Sequence, residues 1–281
     1  MNNRIRLGGA LAAIAVVVVL GVLLIPRPTS SGVTQTPKPS TTASPSPASI
    51  PTSAVSPGVI PPGRLCTGTD CVSGTLEAGT YSFDAGFSTP ANLSFTVPAG
   101  WLTDAGFVGK NIQIGSVTLD PAPNQLFLGT FFVTDVFTDA CHWSSTMVSA
   151  GTTVDQLTNL LATQKGRVAT TPTSITVGGF PAKQIELTVP ASSDTSSCDR
   201  GLLDFWPDPG GDSMGGLCCA GPGSTDVVDA IDVAGRTFVV VARHGPAATP
   251  ADLAELNAVL ASIKIAGSPA SPGPSGASPS P

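Results

Sequence analysis

Acidic residues are missing from the N-terminal part of the chain: none of the 19 Asp and Glu precedes Asp70. Five of the 13 basic residues do, namely Arg4, Arg6, Arg27, Lys38 and Arg64. From Asp70 onward, eight positive side chains therefore stand against 19 negative ones. A body that acidic repels phosphate backbones, which argues against nucleic acid as a partner. Histidine is nearly absent as well. His142 and His244 are the two that exist, so histidine-based catalysis has little to draw on. Aromatic residues make up 5% of the chain, which makes Trp101, Trp143 and Trp206 conspicuous.

Charge is wholly absent from Leu7 to Pro26. An apolar run of about 20 residues is long enough to span a bilayer as a helix. Arg4 and Arg6 before it favour a cytoplasmic N-terminus, although Arg27 behind it weakens the asymmetry. A cleaved signal peptide is the competing reading. It needs small residues in an A-x-A-like pattern after the apolar core, and here the core runs into Leu23-Leu24-Ile25-Pro26-Arg27-Pro28. No cysteine follows the core, which argues against a lipidated N-terminus. The expectation is a single-pass anchor over 7–26, a short cytoplasmic segment over 1–6, and everything beyond Arg27 outside the membrane. Secretion after cleavage is the alternative.

Residues 27–64 are dominated by Pro, Ser and Thr. Such composition buries no core and keeps the backbone extended and solvated. It reads as a spacer, and 267–281 reads as a tail of the same kind. Between them, 65–266 is long enough for one domain with a sizeable core.

Inside that domain the residue pattern favours sheet. Thr80–Phe83 alternates modestly, and Leu93, Phe95 and Val97 share one face of a strand closed by Pro98-Ala99-Gly100. Ile112–Leu119 and Leu126–Phe137 predict further strands, separated by the turn-forming run 120–124. Thr153 and Gln156 form a capping box ahead of the stripe Val154, Leu157, Leu160, Leu161, with Gly166 as its stop. Ser174–Val177 and a return strand carrying Ile185, Leu187 and Val189 flank a Gly178-Gly179 turn. The stretch 190–225 reads as irregular. A second hairpin joins Val227–Val233 to Thr237–Val241 through Ala234-Gly235, and a last helix starts at Thr249-Pro250. The sum is an α+β domain, an antiparallel sheet covered by two helices.

The order of these motifs resembles a known fold. Leu93–Trp101 (L-S-F-T-V-P-A-G-W), the capped helix, Ile175–Val189 (I-T-V-G-G-F-P-A-K-Q-I-E-L-T-V), a last hairpin and a closing helix over most of 76–266 are similar to the PsbP-like fold, as in the LpqN-type exported lipoproteins of actinobacteria. The chain departs from that pattern in lacking a lipidated cysteine and in its cysteine-rich insert. The resemblance implies a non-catalytic binding or accessory module of a cell envelope, and it transfers no catalytic residue.

Six cysteines behind an export signal predict disulfides. The preferred pairs are Cys66–Cys71 and Cys141–Cys198. Cys218 and Cys219 either bond to each other, in a redox-labile link, or take partners among the other four. Zinc ligation needs spacings that these cysteines do not have. Asp204, Asp208 and Asp212 lack the regular spacing of a calcium loop, and Asp226, Asp229 and Asp232 read as solvating a strand edge. Gly211-Asp212-Ser213-Met214-Gly215 matches G-x-S-x-G, but no strand precedes it and no helical pattern follows, as a hydrolase elbow requires. His142 and His244 read as structural or turn residues. Trp101 reads as core, whereas Trp206, in a polar insert, is a possible exposed ligand contact. No cofactor is expected. The functional expectation is a membrane-anchored, non-enzymatic module whose partner is an envelope ligand or protein. A serine hydrolase using Ser213 and a thiol-redox protein using Cys218 and Cys219 are the alternatives.

Overall fold

A computed structural model describes residues 58–67, 70–85, 91–104, 106–112, 122–207 and 216–267. The chain divides into 1–52 and 53–281, and every described residue lies in the second part. The expected anchor over 7–26 and most of the Pro/Ser/Thr-rich segment lie outside the described residues, as do Ser213 and the tail beyond Gly267. No described helix is long and apolar enough to cross a membrane.

The class is α+β with sheet predominating and two helices, α1 (Val154–Thr163) and α2 (Pro250–Ala261). The single antiparallel sheet expected from the sequence is replaced by two larger sheets and two short ribbons. The larger sheet has ten strands among the described residues. Its centre is the hairpin Thr225–Val233 with Arg236–His244, flanked by Leu126–Phe131 on one side and Phe180–Thr188 on the other. A five-stranded sheet holds Leu93–Val97, Gly79–Phe83 and Gly63–Thr67. Each sheet contains one parallel pairing, Val59–Ile60 with Gly74–Leu76 and Gly63–Thr67 with Gly79–Phe83. The folded part therefore reaches back to residue 58, ahead of the composition shift at 64. Its first strands, of two to five residues, are too short to announce themselves.

Both faces of the large sheet are covered. Phe238, Val240 and Ala242 point into a first core shared with Tyr81, Phe83, Phe95 and Trp101 and with Leu256 and Val259 of α2. Val239 and Val241 point the other way, into a second core with Ile185, Leu187, Val228 and Ala230 and with Leu157 and Leu161 of α1. This is why Phe238-Val239-Val240-Val241-Ala242 is apolar without a break: a strand buried on both sides has no polar alternation.

Several local expectations hold. Thr153 and Gln156 close a reciprocal capping box on α1. Thr249 does the same with Asp252 on α2, behind Pro250. Three others change. The helix α1 ends at Thr163 with Gln164 as its cap, ahead of Gly166, because Gln164 turns its side chain inward and donates to the carbonyls of Phe137 and Phe205. The run 126–137 splits into Leu126–Phe131 and Asp135–Phe137, and the second piece leaves the sheet to pair with Met147–Ser149. The stretch 190–225 is not wholly irregular: Asp204–Trp206 pairs with Leu217–Cys218 in a bulged ribbon. The expected strand 112–119 lies almost wholly outside the described residues.

The central hairpin turns through Ala234 and Gly235 at φ of 55° and 78°. Two positive φ values define the tight turn whose twist matches the paired strands, and alanine pays a steric penalty there that glycine does not. Ala234→Gly is expected to stabilise the protein by about 0.5–1 kcal/mol, read as a higher urea midpoint at unchanged slope. An unchanged or lower midpoint would mean the turn is not strained.

Candidate functional site

All six cysteines are paired, as Cys66–Cys71, Cys141–Cys198 and Cys218–Cys219. The two preferred pairs stand, and of the two possibilities for the remaining cysteines the bond between neighbours is the one realised. Cys219 takes a left-handed backbone conformation, φ 66°, which is uncommon for a side chain with a Cβ. Its N–H donates to the carbonyl of Leu203 at 2.8 Å, tying the bond to the other arm of the ribbon. Cys218 is partly exposed and Cys219 is buried.

Beneath this bond lies a cluster of ionised groups that the sequence did not announce. The Cys218 carbonyl accepts a hydrogen bond of 2.9 Å from Arg243 Nη1. Arg243 also grips Asp226 with two donors, Nε at 2.6 Å and Nη2 at 3.2 Å. Arg167 donates to the same carboxylate through Nη1 at 3.1 Å. The Arg167 side chain is 0% exposed and that of Asp226 1%. The guanidinium carbon of Arg167 stands 3.8 Å from the centre of the Phe205 ring, a stacked cation–π contact. Burial, and secondarily the charge of Arg243, draws the Arg167 pKa down to about 9, while Asp226 opposes the fall. At neutral pH the group still carries its proton, so two cations share one anion in the interior.

Asp226 and Asp229 were expected to solvate a strand edge. Both are buried instead, because Thr225–Val233 is an inner strand paired on both sides. Only Asp232 faces out, accepting from the Gly235 N–H in the turn. Asp229 points into the opposite core from Asp226 and accepts one hydrogen bond, from Gln184 Nε2 at 2.9 Å. Burial raises its pKa to about 6, against the smaller opposing effect of that hydrogen bond.

Trp206 was expected to be exposed and is fully buried. It stands edge-on to Phe131, ring centres 5.7 Å apart, because the ribbon folds back over the second core. Trp101 is core, as expected, and its indole N–H donates to Glu255. His244 is half-buried rather than exposed, being paired across to both Leu126 and Thr225. His142 is exposed beside the Cys141–Cys198 bond, 3.7 Å from Asp199. That carboxylate already takes the hydroxyl and the N–H of Ser144. A serine whose hydroxyl donates to a carboxylate, with no imidazole between them, is not an activated nucleophile. Asp204 is buried, while Asp208, Asp212 and Ser213 lie outside the described residues. Among the described residues no three His, Cys, Asp or Glu side chains come together as a metal site.

The fold and this cluster define an α+β, disulfide-bonded domain with a buried ionic network. No protein-family model matches the chain, and no curated protein matches it. Among solved structures it is similar to the cyanobacterial PsbP protein (CyanoP) of Synechocystis sp. PCC 6803, with 11% identity, a TM-score of 0.31, and coverage of 71% of this chain and 96% of that one. A superposition at that score is partial, and nothing about function follows from it.

Two outcomes follow from the burial. Asp226→Ala leaves two guanidinium groups without a counter-charge and is expected to cost about 3–5 kcal/mol, whereas Arg167→Leu leaves the paired Arg243–Asp226 and costs far less; denaturant unfolding of both variants gives the ordering, and similar losses would contradict it. Asp229 works in the opposite direction. Its folded pKa lies above its unfolded value, so the folded state holds the extra proton between about pH 4 and 6 and loses stability as pH rises through that window. Asp229→Asn keeps an acceptor for Gln184 and removes the charge. It should stabilise the protein at pH 7 by about 1–3 kcal/mol and flatten the stability profile from pH 4 to 6, as measured by unfolding at each pH.

Proposed function

We propose that the chain is a non-enzymatic accessory or binding module of a cell envelope, held by an N-terminal membrane anchor with its disulfide-bonded domain outside. The observation that carries this reading is that all six cysteines are engaged in disulfides, a usage that belongs to oxidising compartments. The uncharged run Leu7–Pro26 supplies the anchor, and the Pro/Ser/Thr-rich segment behind it supplies the spacer. The resemblance of 76–266 to the PsbP-like fold and to LpqN-type exported lipoproteins is in keeping with a module that binds rather than catalyses. The partner is then an envelope protein or ligand, and the acidic domain reaches the membrane through its anchor alone. No observation among the described residues favours Ser213 as a nucleophile.

A second reading has one observation behind it. A bond between adjacent cysteines, with Cys219 in a left-handed conformation and Cys218 partly exposed, is open to exchange with an external dithiol. In that exchange the bond is reduced to two thiols while the dithiol becomes a disulfide.

One experiment addresses both. Cells expressing the full chain are fractionated, free thiols are alkylated, and the disulfides are mapped by mass spectrometry before and after graded dithiothreitol. The first reading expects the chain in the membrane fraction, the domain digestible by external protease, and three bonds present. Recovery from the soluble interior with reduced cysteines overturns it. The second reading expects Cys218–Cys219 to open at a lower dithiothreitol concentration than the other two bonds, and opening last would end it.

A further inference from the structure

One peptide group joins Cys218 to Cys219, and the domain holds that group from both sides. Its carbonyl accepts from Arg243 Nη1 at 2.9 Å. Its N–H donates to the carbonyl of Leu203 at 2.8 Å. Arg243 is fixed in turn by two donors on Asp226, and Cys218 lies opposite Asp204 in the ribbon. None of these contacts passes through sulfur. Opening the S–S bond therefore leaves the peptide group in place, and the two thiols stay side by side.

The two cysteines are not equivalent. Cys218 is partly exposed, whereas Cys219 is 8% exposed. An external thiolate attacks the sulfur it can reach, which makes Cys218 the point of entry. The attack bonds the incoming sulfur to Cys218 and releases Cys219 as a thiolate. Cys219 then stands next to the mixed disulfide on a fixed backbone. A thiol held that close acts at an effective concentration on the order of millimolar or more. It attacks Cys218 again, restores the bond and expels a monothiol before a second molecule arrives. A dithiol carries its second sulfur with it. That sulfur closes on the first, and the reagent leaves as a cyclic disulfide. Two electrons and two protons pass to Cys218 and Cys219.

We infer that Cys218–Cys219 is a dithiol-selective exchange site, in which Cys218 receives the incoming thiolate and Cys219 rejects single thiols. The inference rests on the thiol-exchange reading of this bond.

The test treats the full chain in detergent with dithiothreitol or with 2-mercaptoethanol, both uncharged. Samples are quenched in acid, and each cysteine is assayed by mass spectrometry. Below the effective concentration of Cys219, the initial opening rate should follow dithiothreitol in direct proportion and 2-mercaptoethanol as its square. Doubling the reagent then raises the rate about twofold and about fourfold respectively. The trapped 2-mercaptoethanol adduct should sit on Cys218. First-order dependence on both reagents, or an adduct on Cys219, overturns the inference and leaves the thiol-exchange reading standing. Opening after the other two bonds overturns both. In Cys219→Ser, the disulfide of 2-mercaptoethanol should leave a lasting adduct on Cys218, and its absence also overturns the inference. The wild-type rates keep the test independent of whether that variant folds.

Discussion

Along 228–231 and 238–243 the central hairpin has no face in water, and the rest of the domain is arranged around that constraint. One side of it is closed by the five-stranded sheet and α2, the other by α1 and the bulged ribbon. A strand in that position gains hydrophobic stabilisation from every residue, but each polar group it carries must find its partner inside the protein. Asp226 and Asp229 are the two acidic groups that meet this condition, one in each core. Asp226 meets it with two arginines and Asp229 with a single amide, and burial raises the Asp229 pKa against that one hydrogen bond.

The second core depends on its cover. The segment 195–207 runs back across it through Asp199 N–H to the carbonyl of Cys141, Asp204 N–H to the carbonyl of Ala140, and the Cys141–Cys198 bond. That bond closes a loop of 57 residues in sequence separation and restricts the unfolded chain accordingly. The ribbon then lays Phe205 and Trp206 over the sheet and brings the Cys218 carbonyl to Arg243. The ionic cluster is thus joined by one hydrogen bond to the residue before the left-handed Cys219, so the conformation at Cys218–Cys219 and the position of Arg243 are coupled.

What the sequence made legible was local. Capping boxes are decided by four consecutive residues, and both helices begin where Thr153 and Thr249 say they do. Glycine pairs and Ala234-Gly235 mark tight turns because positive φ is a property of the turn itself. Leu93, Phe95 and Val97 alternate because their strand has one buried face. The same reasoning failed at Asp226 and Asp229, since reading alternate residues as solvent-facing assumes a face in water. It failed at Trp206 because the polarity of a segment does not reveal that its few aromatic residues fold inward together. The division of the strands between two sheets, and the parallel pairings, were beyond reach because strands of two to five residues such as Val59–Ile60 carry too little pattern. Arg167 was missed for a simpler reason. It follows a glycine at the end of a helix, where a basic residue ordinarily reads as surface.

A strand that is apolar on both faces also loses the usual means of fixing its register. Where one face is wet, a slip of one residue exposes the whole hydrophobic set. In Val227–Val233 against Thr237–Val241 a slip would exchange one apolar row for another and cost little in burial. The polar pairs remove that ambiguity. Asp226 lies directly opposite Arg243, and Asp229 directly opposite Gln184 on the neighbouring strand. A slip between the two hairpin strands sets Asp226 against Ala242 or His244 and unpairs a buried carboxylate from its guanidinium. A slip against Phe180–Thr188 strands Asp229 in the same way. Because the two pairs span different strand–strand interfaces, a slip at either one breaks the pair that marks it. Buried ion pairs are poor sources of net stability, but they are effective at excluding alternatives, and here they select one register from several that hydrophobicity would accept.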